Sequence, residues 1–156
     1  MIPGAPNPRR AVSLVALSLV LAAAGCGPER LERTESDLRA AIAAAVQRGD
    51  TATLRLFTEV PFAFDVVYIA GPRTPADSLA RVMGSAWRPE FSRGLEADDR
   101  FHLLVFVVRD QLIPATLPRS VAEIAPELTG RLYGPETAVF RVRQAPGAAV
   151  PSLLPR

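Results

Sequence analysis

The stretch Phe101-His102-Leu103-Leu104-Val105-Phe106-Val107-Val108 is apolar at nearly every position, whichever way a two-residue period is started. A strand with one wet face alternates between apolar and polar residues. A strand apolar on both faces is covered on both, so this segment predicts a central strand. Arg109 follows it, and Asp110-Gln111 is suited to a tight turn. Leu112 to Leu117 then reads as the returning strand. Pro114 marks it as an edge or a bulge, because proline cannot donate to a strand ladder.

Upstream, Phe64 to Ala70 (FDVVYIA) is rich in β-branched and aromatic residues and reads as a second strand, ended by Gly71-Pro72. Thr74-Pro75-Ala76-Asp77 has the form of a helix start, with Thr74 as cap, Pro75 at the first helical position and Asp77 completing a capping pair. Leu79, Val82 and Met83 would be its buried face and Gly84 its stop. Thr53 to Thr58 (TLRLFT) alternates over a short distance, which predicts a strand. Between Pro28 and Asp50, residues Leu31, Leu38, Ile42, Ala45 and Val46 recur on one helical face. Acids lie early in that segment and Arg48 late, as the helix dipole favours.

Downstream, Val121 to Leu128 reads as a short helix, and Ala138 to Arg143 (AVFRVR) alternates cleanly as a strand. Gln144 to Arg156 has three prolines and no period, and is expected to be a loose tail. Ser85 to Arg100 reads as polar and irregular apart from Trp87 and Phe91. These elements predict a single α+β domain. It would have an antiparallel sheet of about four to five strands, with the N-terminal helix and a second short helix on one face.

Composition narrows the function classes. With 49% hydrophobic residues the chain is too apolar to be disordered. A single Cys excludes a disulfide within the chain, and one His with one Cys leaves no usual zinc ligand set, so neither metal nor cofactor is expected. The formal charge of +2 is spread along the chain, without the basic stripe a nucleic-acid binder would carry. All 18 basic residues are Arg, and Asn occurs once, at Asn7. Guanidinium groups suit phosphate and carboxylate, but Arg residues dispersed among acids point instead to a GC-rich coding sequence.

The N-terminal segment carries an address. Met1 to Pro8 contains no acid, Arg9 and Arg10 supply positive charge, and Ala11 to Ala24 (AVSLVALSLVLAAA) is uncharged. Length and flanks fit the apolar region of an export signal, and fall short of the roughly 20 residues that span a bilayer. The flanks of Arg9-Arg10 fit a twin-arginine signal poorly, which leaves the general secretory route. Ala23-Ala24-Gly25-Cys26 resembles the bacterial lipobox, with Ala23 where Leu is usual. Such a Cys is acylated and becomes the mature N-terminus. The alternative is a soluble exported protein with ordinary cleavage after small residues. The resemblance divides the chain into a signal peptide (1–25), an envelope domain with its lipid tether (26–143) and the tail (144–156). It implies a membrane partner through Cys26. Gly27, in place of Asp, favours the outer membrane facing the periplasm in a Gram-negative cell. Otherwise the outer face of the cytoplasmic membrane is expected. Removal of the first 25 residues leaves 131, with 16 Arg against 16 acids, so the mature domain is formally neutral.

No motif for a nucleophile elbow, zinc protease, P-loop or dinucleotide fold is present. His102, inside the most apolar strand, reads as a core residue. Asp98-Asp99, between Glu96 and Arg100, reads as a solvated turn. Phe64-Asp65-Val66-Val67-Tyr68 and the following Gly71-Pro72-Arg73-Thr74-Pro75 resemble a pattern of small bacterial lipoproteins of unknown function, over about Phe57 to Val142. Phe64 stands for the usual Trp, Ala70 for Phe and Arg73 for Tyr. The resemblance implies no activity. Asp65, disfavoured in a strand, needs donors, from backbone N–H groups or from an Arg such as Arg119 or Arg109. It is either a structural ion pair or, with Tyr68, Arg73 and Arg119, part of a polar patch facing a partner. The expectation is a lipid-anchored, non-enzymatic interaction or accessory module with an envelope protein partner. The alternatives are a small-ligand binder around Phe64, Tyr68 and Trp87, and an enzyme inhibitor presenting the loop Ser85 to Arg100.

Overall fold

The computed structural model describes residues 28–49 and 52–156. The expected signal peptide and Cys26 lie outside the described residues. Helix α1 (Pro28–Arg48) buries Leu38, Ile42 and Ala45 on the face their spacing defines, and ends at Gly49 with φ +96°. The stretch 53–58 is a strand for three residues only. β1 (Thr53–Arg55) passes directly into the one-turn helix α2 (Leu56–Glu59), where Val60 N–H closes onto the Leu56 carbonyl. Leu54 and Leu56 are both buried, so six residues of alternation could not separate a strand from a strand that coils.

β2 (Val66–Ala70) leads to α3 (Ala76–Met83). Pro75, not Thr74, occupies the cap position, and no side chain caps the helix. The Thr74 hydroxyl instead donates to the Gly71 carbonyl at 2.7 Å. β3 (Phe101–Val108) and β4 (Gln111–Pro118) form the expected hairpin. The segment expected as a short helix, 121–128, is instead β5 (Glu123–Ile124) and a 3-10 turn at Pro126–Leu128. β6 (Arg131–Tyr133), β7 (Val139–Arg143) and β8 (Ser152–Pro155) complete the domain.

The α+β class holds, but the strands form two four-stranded sheets, not one. The first has the order β4-β3-β2-β6 and is antiparallel throughout. The second has the order β1-β7-β8-β5, with β5 parallel to β8. The tail is therefore not loose: β8 lies between β7 and β5, and Leu153 is 3% exposed. Two, three and four residues are too few for β5, β6 and β8 to show a period.

The two helices also lie on opposite faces of the first sheet, not on one. Leu104 and Phe106 face a core shared with α1 and the second sheet, where Phe62 and Phe64 stack edge-on against Phe106 at 5.4 and 5.2 Å. Leu103 and Val105 face a smaller core closed by Leu79 of α3 with Trp87 and Leu95. Both faces of β3 are covered, as its double apolarity demands.

Candidate functional site

Asp65 sits just before β2, exposed, beside the turn of the β3–β4 hairpin. Its backbone N–H donates to the Val107 carbonyl at 2.8 Å. Its carboxylate accepts the backbone N–H of Arg109 at 2.6 Å. Arg109 has φ +56°, the left-handed geometry the turn requires. Donors for Asp65 are thus backbone groups of the hairpin.

The four residues expected as one polar patch are not brought together. Asp65 and Arg73 flank opposite ends of β2. Tyr68 is buried in the smaller core, where burial pushes its phenol pKa up. Arg73 and Arg119 do converge, on Asp99: Arg73 meets its carboxylate at 3.1 Å, and Arg119 Nη1 donates to its carbonyl at 3.0 Å.

Beside this junction lies an open groove of about 630 Å³, lined by Arg93, Asp98, Arg100, Thr116, Arg119 and Ser120 among others. Arg100 holds Asp98 through side-chain contacts of 2.7 to 3.1 Å, and these hydrogen bonds lower the Asp98 carboxyl to about 2. Arg119 Nε grips the Glu123 carboxylate at 2.8 and 3.0 Å. Arg93, exposed and at φ +52°, has no ion pair among the described residues. Chemically the groove offers guanidinium donors already largely answered by their own acids.

Behind Glu123 lies His102, 2% exposed. Its Nε2 accepts the backbone N–H of Ile124 at 3.2 Å and lies 3.6 Å from Glu123 Oε2. A backbone N–H can only donate, so Nε2 is unprotonated and the proton of the neutral ring is on Nδ1. Nδ1 is buried and finds no partner among the described residues. Such an unmet group costs about 1–3 kcal/mol. Burial lowers the His102 pKa, while the Glu123 charge opposes that shift.

The ligand-binding alternative needs Phe64, Tyr68 and Trp87 around one cavity. Phe64 instead belongs to the larger core and the other two to the smaller one, across the sheet. The loop Ser85 to Arg100 does not project: it winds into two 3-10 turns, at 84–86 and 89–92, and buries Trp87, Ser92 and Leu95. A second groove, of about 550 Å³, lies near the β3–β4 turn, with Val82 and Leu132 exposed on its walls. No group of three or more metal-ligating side chains exists among the described residues.

Among the side-chain contacts that the sequence does not announce are those from His102 to Ile124 and from Glu35 to Thr116. Glu35 Oε1 accepts both the N–H and the hydroxyl of Thr116, at 2.8 and 2.6 Å. The Thr116 N–H points away from β3, as would those of Pro114 and Pro118, which share its parity. That spacing of prolines is the signal that marked an edge needing closure.

Compared with known protein families, with curated proteins and with solved structures, the chain matches none.

Proposed function

We propose that this chain is a lipid-anchored cell-envelope protein whose domain acts as a non-enzymatic interaction or accessory module. The observation that carries the reading is the order of residues 9–26: two Arg, twelve uncharged residues, then Ala-Ala-Gly-Cys. Among the described residues no helix is long and apolar enough to cross a membrane. On this reading the attachment is made by acyl chains on Cys26. Two or more chains anchor stably where one does not, at about 0.8 kcal/mol per buried methylene.

The packing supports the module part of the reading. Both faces of β3 are filled by side chains. The aromatic residues that would have lined a ligand cavity are divided between two cores. What the domain offers outward is a set of shallow grooves and paired charges, suited to contact with another macromolecule.

The experiment is fractionation of cells expressing wild type and Cys26→Ala, with metabolic labelling by a palmitate analogue. Wild type should label and sediment with membranes, and the variant should do neither. A variant that stays with the membrane at wild-type level overturns the anchoring. A labelled, membrane-bound wild type that co-isolates with no envelope component after crosslinking overturns the partner part.

A further inference from the structure

We propose that His102 is a proton-controlled latch between the two sheets, which holds Ile124 when neutral and trades it for Glu123 when protonated. His102 stands on β3 of the first sheet and Ile124 on β5, the edge strand of the second. Glu123 and Ala125 give their N–H groups to the parallel neighbour, at the Pro151 and Leu153 carbonyls, each at 2.9 Å. The N–H of Ile124 therefore points the other way, and the imidazole accepts it at 3.2 Å.

A proton on Nε2 removes that acceptor. Nε2 then carries a hydrogen of its own, and the Ile124 N–H confronts another donor. The new N–H has a carboxylate waiting 3.6 Å away, Glu123 Oε2. Glu123 is at present bound by Arg119, from the connection before β5. The charged groups that face the imidazole are thus Glu123, which favours the imidazolium, and Arg119, which disfavours it. Protonation draws Glu123 inward and weakens its grip on Arg119, whose guanidinium lines the groove with Arg93 and Arg100. One proton, taken up in the core, changes the edge of one sheet and the charge presented in the groove. This switch does not depend on how the chain is anchored.

The experiment is an NMR pH titration of the wild-type domain, following the His102 ring carbons and the exchange of the Ile124 amide hydrogen, with Glu123→Gln in parallel. The ring should titrate, and the Ile124 amide should lose protection with the same midpoint. Glu123→Gln should lower that midpoint, because the imidazolium loses its carboxylate. If the ring titrates while Ile124 stays protected, the latch is overturned. The same holds if Glu123→Gln leaves the midpoint unchanged, or if the ring stays neutral until the domain unfolds globally. Should the variant fail to fold, the coincidence of the two wild-type midpoints decides by itself.

Discussion

The carboxylate of Asp65 closes the β3–β4 hairpin by accepting the backbone N–H of Arg109, 44 residues away in sequence and 2.6 Å away in space. An acid that the sequence offers either as a structural pair or as part of a binding patch is thus bonded within its own fold. Asp65→Ala should destabilise the domain by about 1.5 kcal/mol, the lower end of the range for a charge-assisted hydrogen bond, because the residue is exposed. Asp65→Asn, which keeps an oxygen acceptor, should lose less. Urea denaturation of the three proteins checks this. A loss below about 0.3 kcal/mol for Asp65→Ala would show that the bond adds nothing to the hairpin.

Glu35 plays the matching part at the β4 edge. Glu35→Ala should cost about 1 kcal/mol by stranding the Thr116 N–H, with Glu35→Gln in between. It should also expose the one edge donor between Pro114 and Pro118, and size-exclusion chromatography at rising concentration should show more association than wild type. Equal stability of Glu35→Ala and wild type would count against the contact.

Leu153 distinguishes a strand from a tail. As a buried residue of β8 it should cost about 2–4 kcal/mol when changed to Ala. A loose tail would tolerate the change within about 0.5 kcal/mol. Thermal unfolding followed by circular dichroism is sufficient to separate the two.

Burial holds the His102 imidazole below its ordinary value of 6.5, against the pull of Glu123. The unfolded chain binds a proton near 6.5 and the folded chain resists it, so stability is fully present above that pH and declines as pH falls below it. The decline continues until the folded value is passed. Denaturation midpoints measured at pH 7.5 and 5.5 should differ more in wild type than in His102→Gln. Asp98 contributes nothing to this window, because its carboxyl is ionised above about 3.8 in the unfolded chain and down to about 2 in the folded one, where Arg100 holds it. A pH dependence identical in His102→Gln would remove His102 as its source.

What was legible in the sequence followed from side-chain periods long enough to read. Eight residues that are apolar on both faces fixed β3 as central, and the recurrence of Leu38, Ile42 and Ala45 fixed the buried face of α1. Asp65 and His102 were also visible as anomalies, an acid at a strand start and an imidazole in an apolar run. For Asp65 the choice between backbone N–H donors and a guanidinium stayed open, and for His102 no partner was visible, because Arg109 and Ile124 contribute only backbone N–H groups, which every residue but proline possesses. The second sheet was hidden for a related reason. β5 takes its place from the ladder with β8, through the Pro151 and Leu153 carbonyls, and side-chain identity says nothing of it. Tyr68 was misread as a surface residue because β2 is buried on both faces, and that depends on α3 and Trp87 closing over it.

The place of β8, between β7 and β5, sets an order of events. Residues 152–155 are the last of that sheet to be made, yet they sit inside it, with β5 docked on their far side. While the chain is being synthesised, β1 and β7 can pair, but β5 has no neighbour within its own sheet until residue 155 has emerged. The larger core therefore stays open on one side throughout elongation, and the hairpin of β3 and β4, complete by residue 118, must wait for its cover. A chain arrested short of Ser152 should behave as a partly collapsed, protease-sensitive species, and the four residues that follow convert it at once into a closed domain.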